Sequence, residues 1–205
     1  GEKAVAAAKA VNYSGAGTIE VLVDKNRNFY FLEMNTRLQV EHPITEEVVG
    51  VDLVKEQIRI ANDEVLHLRQ EELFQRGHAI ECRICAEDTE NNFMPSPGII
   101  KQLTEPNGIG VRIDSYVYEG YEIPIYYDPM IGKLIVWATT RQYAIERMRR
   151  VLYEYKITGL KTNLSYLKRI MHTPDFVKGE YNTLFIEKNS RMLLRSNGNN
   201  EEIEN

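Results

Sequence analysis

Within FYFLEMNTRLQVEHP, residues 29–43, a run that begins as an aromatic β-strand acquires Glu33, Asn35, Arg37 and Glu41. In a strand, residues two apart share a face, so Glu33, Asn35 and Arg37 form a polar row opposite Leu32, Met34 and Thr36, provided the extended conformation reaches that far. The preceding run TIEVLV, residues 18–23, carries Glu20. Paired as a hairpin, Glu20 faces the same side from across the ladder and brings two carboxylates and an amide oxygen together. Oxygen-only ligands suit a hard cation. Magnesium fits best, because it keeps several waters and is held by one or two carboxylates while substrate phosphates fill its other positions. With no cation present, facing carboxylates repel or share a proton. The same row also fits an ordinary solvated strand face, and spacing alone does not separate the two readings. The continuation from Arg37 through Gln39, Glu41 and His42 keeps placing polar groups between strongly apolar residues, which favours a site.

The elements that must position these groups follow from pattern. GEKAVAAAKAVNY is an Ala-rich helix stopped by Ser14-Gly15-Ala16-Gly17, and TIEVLV and NFYFLEMN form a β-hairpin across residues 24–28. Beyond Pro43, ITEEVVGVDLVKEQIRIANDE is helical, with Gly50 dividing a short piece from a longer amphipathic one. From about Arg76 the texture changes to short β-rich runs, HAIECRIC, GIIKQLTE, VRIDSYVY and KLIVWATT, spaced by Pro and Gly. Three helices follow: RQYAIERMRRVLYEY, LSYLKRIM and LFIEKNSRM. The expected class is α+β, with helices packed on an antiparallel sheet. The expected divisions are 1–75, 76–188 and a polar, disordered tail over 189–205.

Composition narrows the function. The 205 residues carry a net charge of −5, and that leaves no basic surplus for nucleic acid or an anionic membrane surface. No apolar run approaches the roughly 20 residues that span a bilayer, and the N-terminus lacks signal-peptide character, so the reading is cytoplasmic. Cys82 and Cys85 in ECRIC match C-x-x-C spacing. In a strand, however, an odd separation sends them to opposite faces, and no second C-x-x-C completes a zinc site. His67, His78 and His172 show no metal-ligand spacing, and His42, next to Pro43, reads as packed and hydrogen-bonded.

EMNTRLQVEHPITE, preceded by GAGTIEVL and followed by GVDLVKEQIRIA, resembles the biotin carboxylases, the ATP-grasp enzymes that carboxylate biotin in biotin-dependent carboxylases. The resemblance continues through RGHAIECRICAED, MPSPGII, YYDPMIGKLIVWA and GLKTN, and so covers residues 1 to about 188. It implies an ATP-grasp C-terminal part over 1–75 and a biotin carboxylase C-terminal domain over 76–188. It further implies ATP, Mg2+ (or Mn2+) and biotin as a carried substrate, with ATP activating bicarbonate as carboxyphosphate, which delivers CO2 to N1 of the ureido ring. Glu20, Glu33 and Asn35 match the metal ligands. Glu41 matches the base that deprotonates bicarbonate. Arg37 matches the residue that binds bicarbonate and stabilises the biotin enolate, and Gln39 and the Val40 backbone complete the bicarbonate pocket. Arg83 matches the biotin contact, although in a bare sequence a strand arginine paired with Glu81 or Glu87 is the simpler reading. Asp128 before Pro129 fits either an active-site acid or turn chemistry.

Leu22, with Glu20 and Glu33, and the neighbourhood of Thr183 and Leu184 match ATP-binding positions that could equally be core. GIGVRID matches a dimer contact through Ile109 and Arg112, with Ile109 where an aromatic often stands. The implied partners are a biotin carboxyl carrier protein or domain, a carboxyltransferase component and a second copy, with no nucleic acid and no membrane. Family members are about twice this length, with a glycine-rich lid in the other half. The chain therefore reads as a fragment with negligible activity alone. Two other readings remain: another ATP-grasp ligase of the carbamoyl-phosphate or purine-pathway type, and a non-catalytic dimerisation module.

Overall fold

A computed structural model describes residues 1–194 of the chain. It divides into two compact units, Gly1–Arg76 and the residues from Gly77 onward. The first unit contains helix α1 (Glu2–Ala10), strands β1 (Thr18–Val23) and β2 (Phe29–Asn35), and helices α2 (His42–Val49) and α3 (Leu53–Ala61). Gly50 stops α2 in the left-handed region at φ 78°, and the Asp52 side chain caps α3 by accepting from the Lys55 amide at 2.8 Å. Strands β1 and β2 pair only with each other, antiparallel, with a register shift between Glu20 and Val21. Consecutive apolar residues on both strands are exposed, Phe31 at 64% among them, so neither hairpin face is covered along that stretch.

The second unit holds the core. Its elements are β3 (His78–Cys85), β4 (Glu87–Asp88), β5 (Met94–Pro95), β6 (Gly98–Ile99), β7 (Gln102–Thr104), β8 (Val111–Ser115), β9 (Glu122–Ile123), β10 (Met130–Ala138), α4 (Arg141–Glu154), β11 (Lys156–Thr158), α5 (Leu164–His172), α6 (Pro174–Lys178) and α7 (Phe185–Leu193). The main antiparallel sheet runs β3-β10-β8, with short ladders β4-β5, β6-β9 and β7-β11 around it. The near-continuous apolar run MIGKLIVWA makes β10 the central strand, and β3 turns Ile80, Cys82 and Ile84 inward. Helix α4, capped by Thr140 Oγ1 accepting from the Tyr143 amide, lays Ala144, Ile145, Met148, Val151 and Leu152 on that layer at helical spacing. A smaller cluster of Ala86, Ile100, Ile123 and Ile131 lies beside it.

The class is the expected α+β, with the three expected C-terminal helices at α4, α5 and α7. Residues 189–193, expected within the tail, are helical instead, because α7 runs on to Leu193, which is completely buried. The rest of that tail, from 195, lies outside the described residues. None of the described helices is long and apolar enough to cross a membrane. Leu152→Ala removes a fully buried side chain, and we expect it to cost about 2–5 kcal/mol, measured as a lower urea midpoint at unchanged slope.

Candidate active site

The hairpin register places Glu20 directly opposite Glu33, and Asn35, two residues on, opposite Thr18. All three side chains therefore rise from one face of the two-stranded ladder. The Asn35 amide nitrogen donates to Glu20 Oε1 at 2.9 Å and to Glu33 Oε1 at 3.0 Å, so one NH2 group bridges two carboxylates. Gln39 donates to the same Glu20 oxygen at 2.6 Å. The extended backbone stops at Asn35, and Arg37 sits in the bend beyond it rather than continuing the strand row. Its guanidinium still returns to the cluster, donating to Asn35 Oδ1 at 3.4 Å and to the Leu38 carbonyl at 3.2 Å.

The loop that carries Gln39 is closed by the next helix. His42, the first residue of α2, sets its amide 3.2 Å and its Nδ1 2.7 Å from the Gln39 carbonyl, and Pro43 is buried behind it. This is the packed, hydrogen-bonded role expected for His42. Glu41 is the N-cap residue of α2; its carbonyl accepts from the Ile44 amide at 3.1 Å, and its carboxylate makes no cap bond. Its side chain is exposed at the helix N-terminus. Val40 is half-buried in the turn just before it.

These groups suit a hard divalent cation by the chemistry of their donors. Among the described residues no three His, Cys, Asp or Glu converge, but Glu20, Glu33 and Asn35 offer a different set, two carboxylates and an amide. A half-turn of the Asn35 amide exchanges its NH2 for its oxygen and makes the pocket all-oxygen.

The remaining candidates are dispersed. Leu22 is exposed on β1, and Thr183 and Leu184 are exposed at the start of α7. Asp128 Oδ1 accepts from the Met130 amide at 2.8 Å, which is turn chemistry. Arg83 is exposed on β3, directly across the ladder from Lys133. Cys82 and Cys85 are both free, the first buried and the second half-buried. Burial pushes each thiol up to about 12; for Cys85 the charges of Glu87 and Asp128 add to burial and Arg83 opposes it. Neither is a thiolate at neutral pH. Ile109 is 91% exposed, beside a cleft lined by Trp137, Tyr143, Arg147 and Arg150.

Two groups of the second unit stand out that sequence reasoning gave no role. Lys133, the single charge inside MIGKLIVWA, is buried and places Nζ 3.3 Å from Asp114 Oδ2. Its isolation in an apolar run was the available signal. Asp114 also binds Arg112 through both carboxylate oxygens, at 2.7 and 2.9 Å. Asn163, the last residue of GLKTN, bonds the backbone of Arg83 and Cys85.

Comparison with known proteins places this geometry. Residues 81–188 match the family model of the biotin carboxylase C-terminal domain, and residues 1–69 match that of the carbamoyl-phosphate synthase L chain, ATP binding domain. The chain is 56% identical over 188 residues to a biotin carboxylase of Nostoc, spanning 92% of this chain and 42% of that protein. It is 55% identical over 191 residues to a pyruvate carboxylase subunit of Methanothermobacter thermautotrophicus, spanning 93% of this chain and 39% of that one. The dimeric biotin carboxylase domain of Hydrogenobacter thermophilus 2-oxoglutarate carboxylase, solved with MgADP, ADP and bicarbonate, superposes with TM-score 0.91 at 46% identity. The match covers 94% of this chain and 42% of that one. The chain thus spans about two-fifths of the length of these relatives.

Asp114 yields a pH dependence. Burial raises its carboxyl, but Arg112 and Lys133 outweigh that and hold it below the ordinary value. The stabilisation is complete above the unfolded carboxylate value of about 3.9 and is lost as pH falls through the lower folded value. Asp114→Asn should therefore lower the urea midpoint at pH 7, and the gap to the parent should close on acidification below about pH 4.

Proposed function

From the premise that the chain belongs to the biotin carboxylase family, we propose that it supplies the C-terminal part of an enzyme that carboxylates N1 of protein-linked biotin with ATP and bicarbonate. The observation that carries this reading is the single hydrogen-bonded cluster of Glu20, Glu33, Asn35, Gln39 and Arg37. Glu20, Glu33 and Asn35 hold the divalent cation, which when bound neutralises charge on the ATP phosphates. Arg37 holds bicarbonate and balances the negative charge that develops on the biotin ureido oxygen, for which a permanent guanidinium charge needs no proton movement. Gln39 and the Val40 backbone orient bicarbonate, and the Glu41 side chain takes its proton. Carboxyphosphate then delivers CO2 to biotin N1. Arg83 contacts biotin, and Leu22, Thr183 and Leu184 line the adenine. Asp128 serves its turn.

The match of residues 1–69 to a carbamoyl-phosphate synthase model reflects the ATP-binding domain, and the match of residues 81–188 decides between that ligase and a biotin carboxylase. Like charges directly opposite each other destabilise a ladder, so Glu20 facing Glu33 has little structural purpose. That argues against a non-catalytic module.

The partners are a biotin carboxyl carrier protein or domain and a carboxyltransferase component, and the acceptor varies among relatives that serve pyruvate and 2-oxoglutarate. Two free, protonated cysteines suit the cytoplasm. A second copy docks through Ile109 and Arg112, since an exposed isoleucine beside aromatic and arginine side chains has the composition of an interface core.

In the full-length protein, Arg37→Ala should lower kcat for biotin-dependent ATP cleavage on the order of 100- to 1,000-fold with the KM for ATP unchanged; normal turnover would sink the reading. Ile109→Glu should shift the full-length protein from dimer towards monomer in sedimentation, and an unaltered dimer would exclude this surface.

A further inference from the structure

Among the described residues β3 is the outer strand of its sheet, and no strand pairs with the edge facing away from β10. On the β10 side the ladder is irregular at the same point. Met130 pairs with Cys85 and Gly132 with Ile84, leaving Ile131 as an extra, fully buried residue. The segment Arg83–Cys85 therefore borders a bulge on one edge and has no ladder on the other. Asn163 supplies what is missing. Its Oδ1 accepts from the Cys85 amide at 2.9 Å, its Nδ2 donates to the Arg83 carbonyl at 2.9 Å, and its backbone amide donates to the Cys85 carbonyl at 3.1 Å. One residue thereby stands in for a paired strand. The amide orientation is forced, since the Cys85 N–H requires an acceptor and the Arg83 carbonyl a donor.

Asn163 occupies the N-cap position of α5, where an asparagine ordinarily turns its side chain back to the helix amides. Here it makes no cap bond and reaches to β3 instead. It is buried, with the side-chain contacts 78 and 80 residues away in sequence. The turn that brings it there is tightly specified. Gly159 has φ 105°, and a Cβ at that position would run into the Ile99 carbonyl oxygen.

From this clamp on the Arg83 backbone we infer that Asn163 is a positioning residue that fixes the direction of the Arg83 side chain towards its ligand. The inference rests on the reading of Arg83 as the biotin contact. Bonds to the Arg83 carbonyl and the Cys85 amide fix the backbone on both sides of Ile84, and with it the Cα–Cβ direction of Arg83. Lys133, directly across the ladder on the same face, is a like charge whose ammonium is drawn to Asp114. Misplacement of a binding group by about 1 Å can cost on the order of 100-fold in rate.

The test is steady-state kinetics of the full-length protein with free biotin and ATP as varied substrates. Asn163→Ala should raise the KM for biotin about tenfold and leave the KM for ATP within about twofold. Asn163→Asp keeps an acceptor for the Cys85 amide but loses the donor to Arg83; it should raise the same KM and serves if the alanine variant does not fold. The double variant Asn163→Ala/Arg83→Ala should bind biotin no worse than Arg83→Ala alone, because the first residue acts through the second. Losses that multiply, or a parallel change in both KM values and kcat, would overturn the positioning role while leaving Arg83 as the contact. An Arg83→Ala variant with unchanged KM for biotin would instead remove the reading beneath it.

Discussion

One primary amide makes the acidic face of the hairpin tenable. Glu20 and Glu33 stand directly opposite each other on neighbouring strands, where like charges destabilise a ladder. The NH2 of Asn35 reaches both, and Gln39 adds a second donor to Glu20. Those bonds hold the two carboxylates together. The rest of the first unit follows from keeping that arrangement. The register shift after Glu20 separates the paired acids from the outer part of the hairpin, and the chain leaves the strand at Asn35 so that Arg37 and Gln39 can bend back. Closure of the loop onto His42 and Pro43 then leaves Glu41 at the mouth of α2. Since the amide can present nitrogen or oxygen, the same side chain can donate or accept between the two acids.

The second unit treats rigidity differently. Its sheet packs against α4 through a continuous apolar layer, and the polar groups on its other face are organised by direct ion pairs: Arg112 and Lys133 share Asp114, next to Arg83. Where the ladder becomes irregular at Ile131, side-chain bonds from Asn163 replace strand pairing. Arg83 on the outer strand is thus anchored through its backbone while its side chain stays exposed.

The sequence disclosed those parts that depend on period and on short loops. The pairing of Glu20 with Glu33 and the projection of Asn35 from the same face followed from strand alternation and a five-residue turn. Cys82 and Cys85 separated to different environments for the same reason. The class and the larger helices were legible from apolar spacing. Bonds that join distant segments were not legible. The Gln39 contact to Glu20 depends on a bend that no periodicity encodes, and Asn163 reads as an ordinary cap residue until β3 lies beside it. The β6-β9 ladder exists only through long-range pairing, the local β4-β5 ladder is too short for strand alternation to show, and α6 is too short for a helical period to show. Residues 189–193 are helical where polarity suggests a tail, because the polar stretch around Asn189 hides Leu193, which finishes the helix.

The β1–β2 hairpin has a thermodynamic consequence of its own. Among the described residues it is a two-stranded ladder with apolar residues exposed on both faces, and such a ladder left uncovered is marginal in water. Its opening free energy belongs at the low end of the molecule's range, far from that of the core beneath α4. The acidic cluster exists only while the hairpin is closed. Whatever binds there meets a population of competent molecules smaller than the whole, and its apparent dissociation constant is the intrinsic one divided by the closed fraction. Anything that covers the hairpin faces raises that fraction, and so tightens binding at a cluster it need never touch.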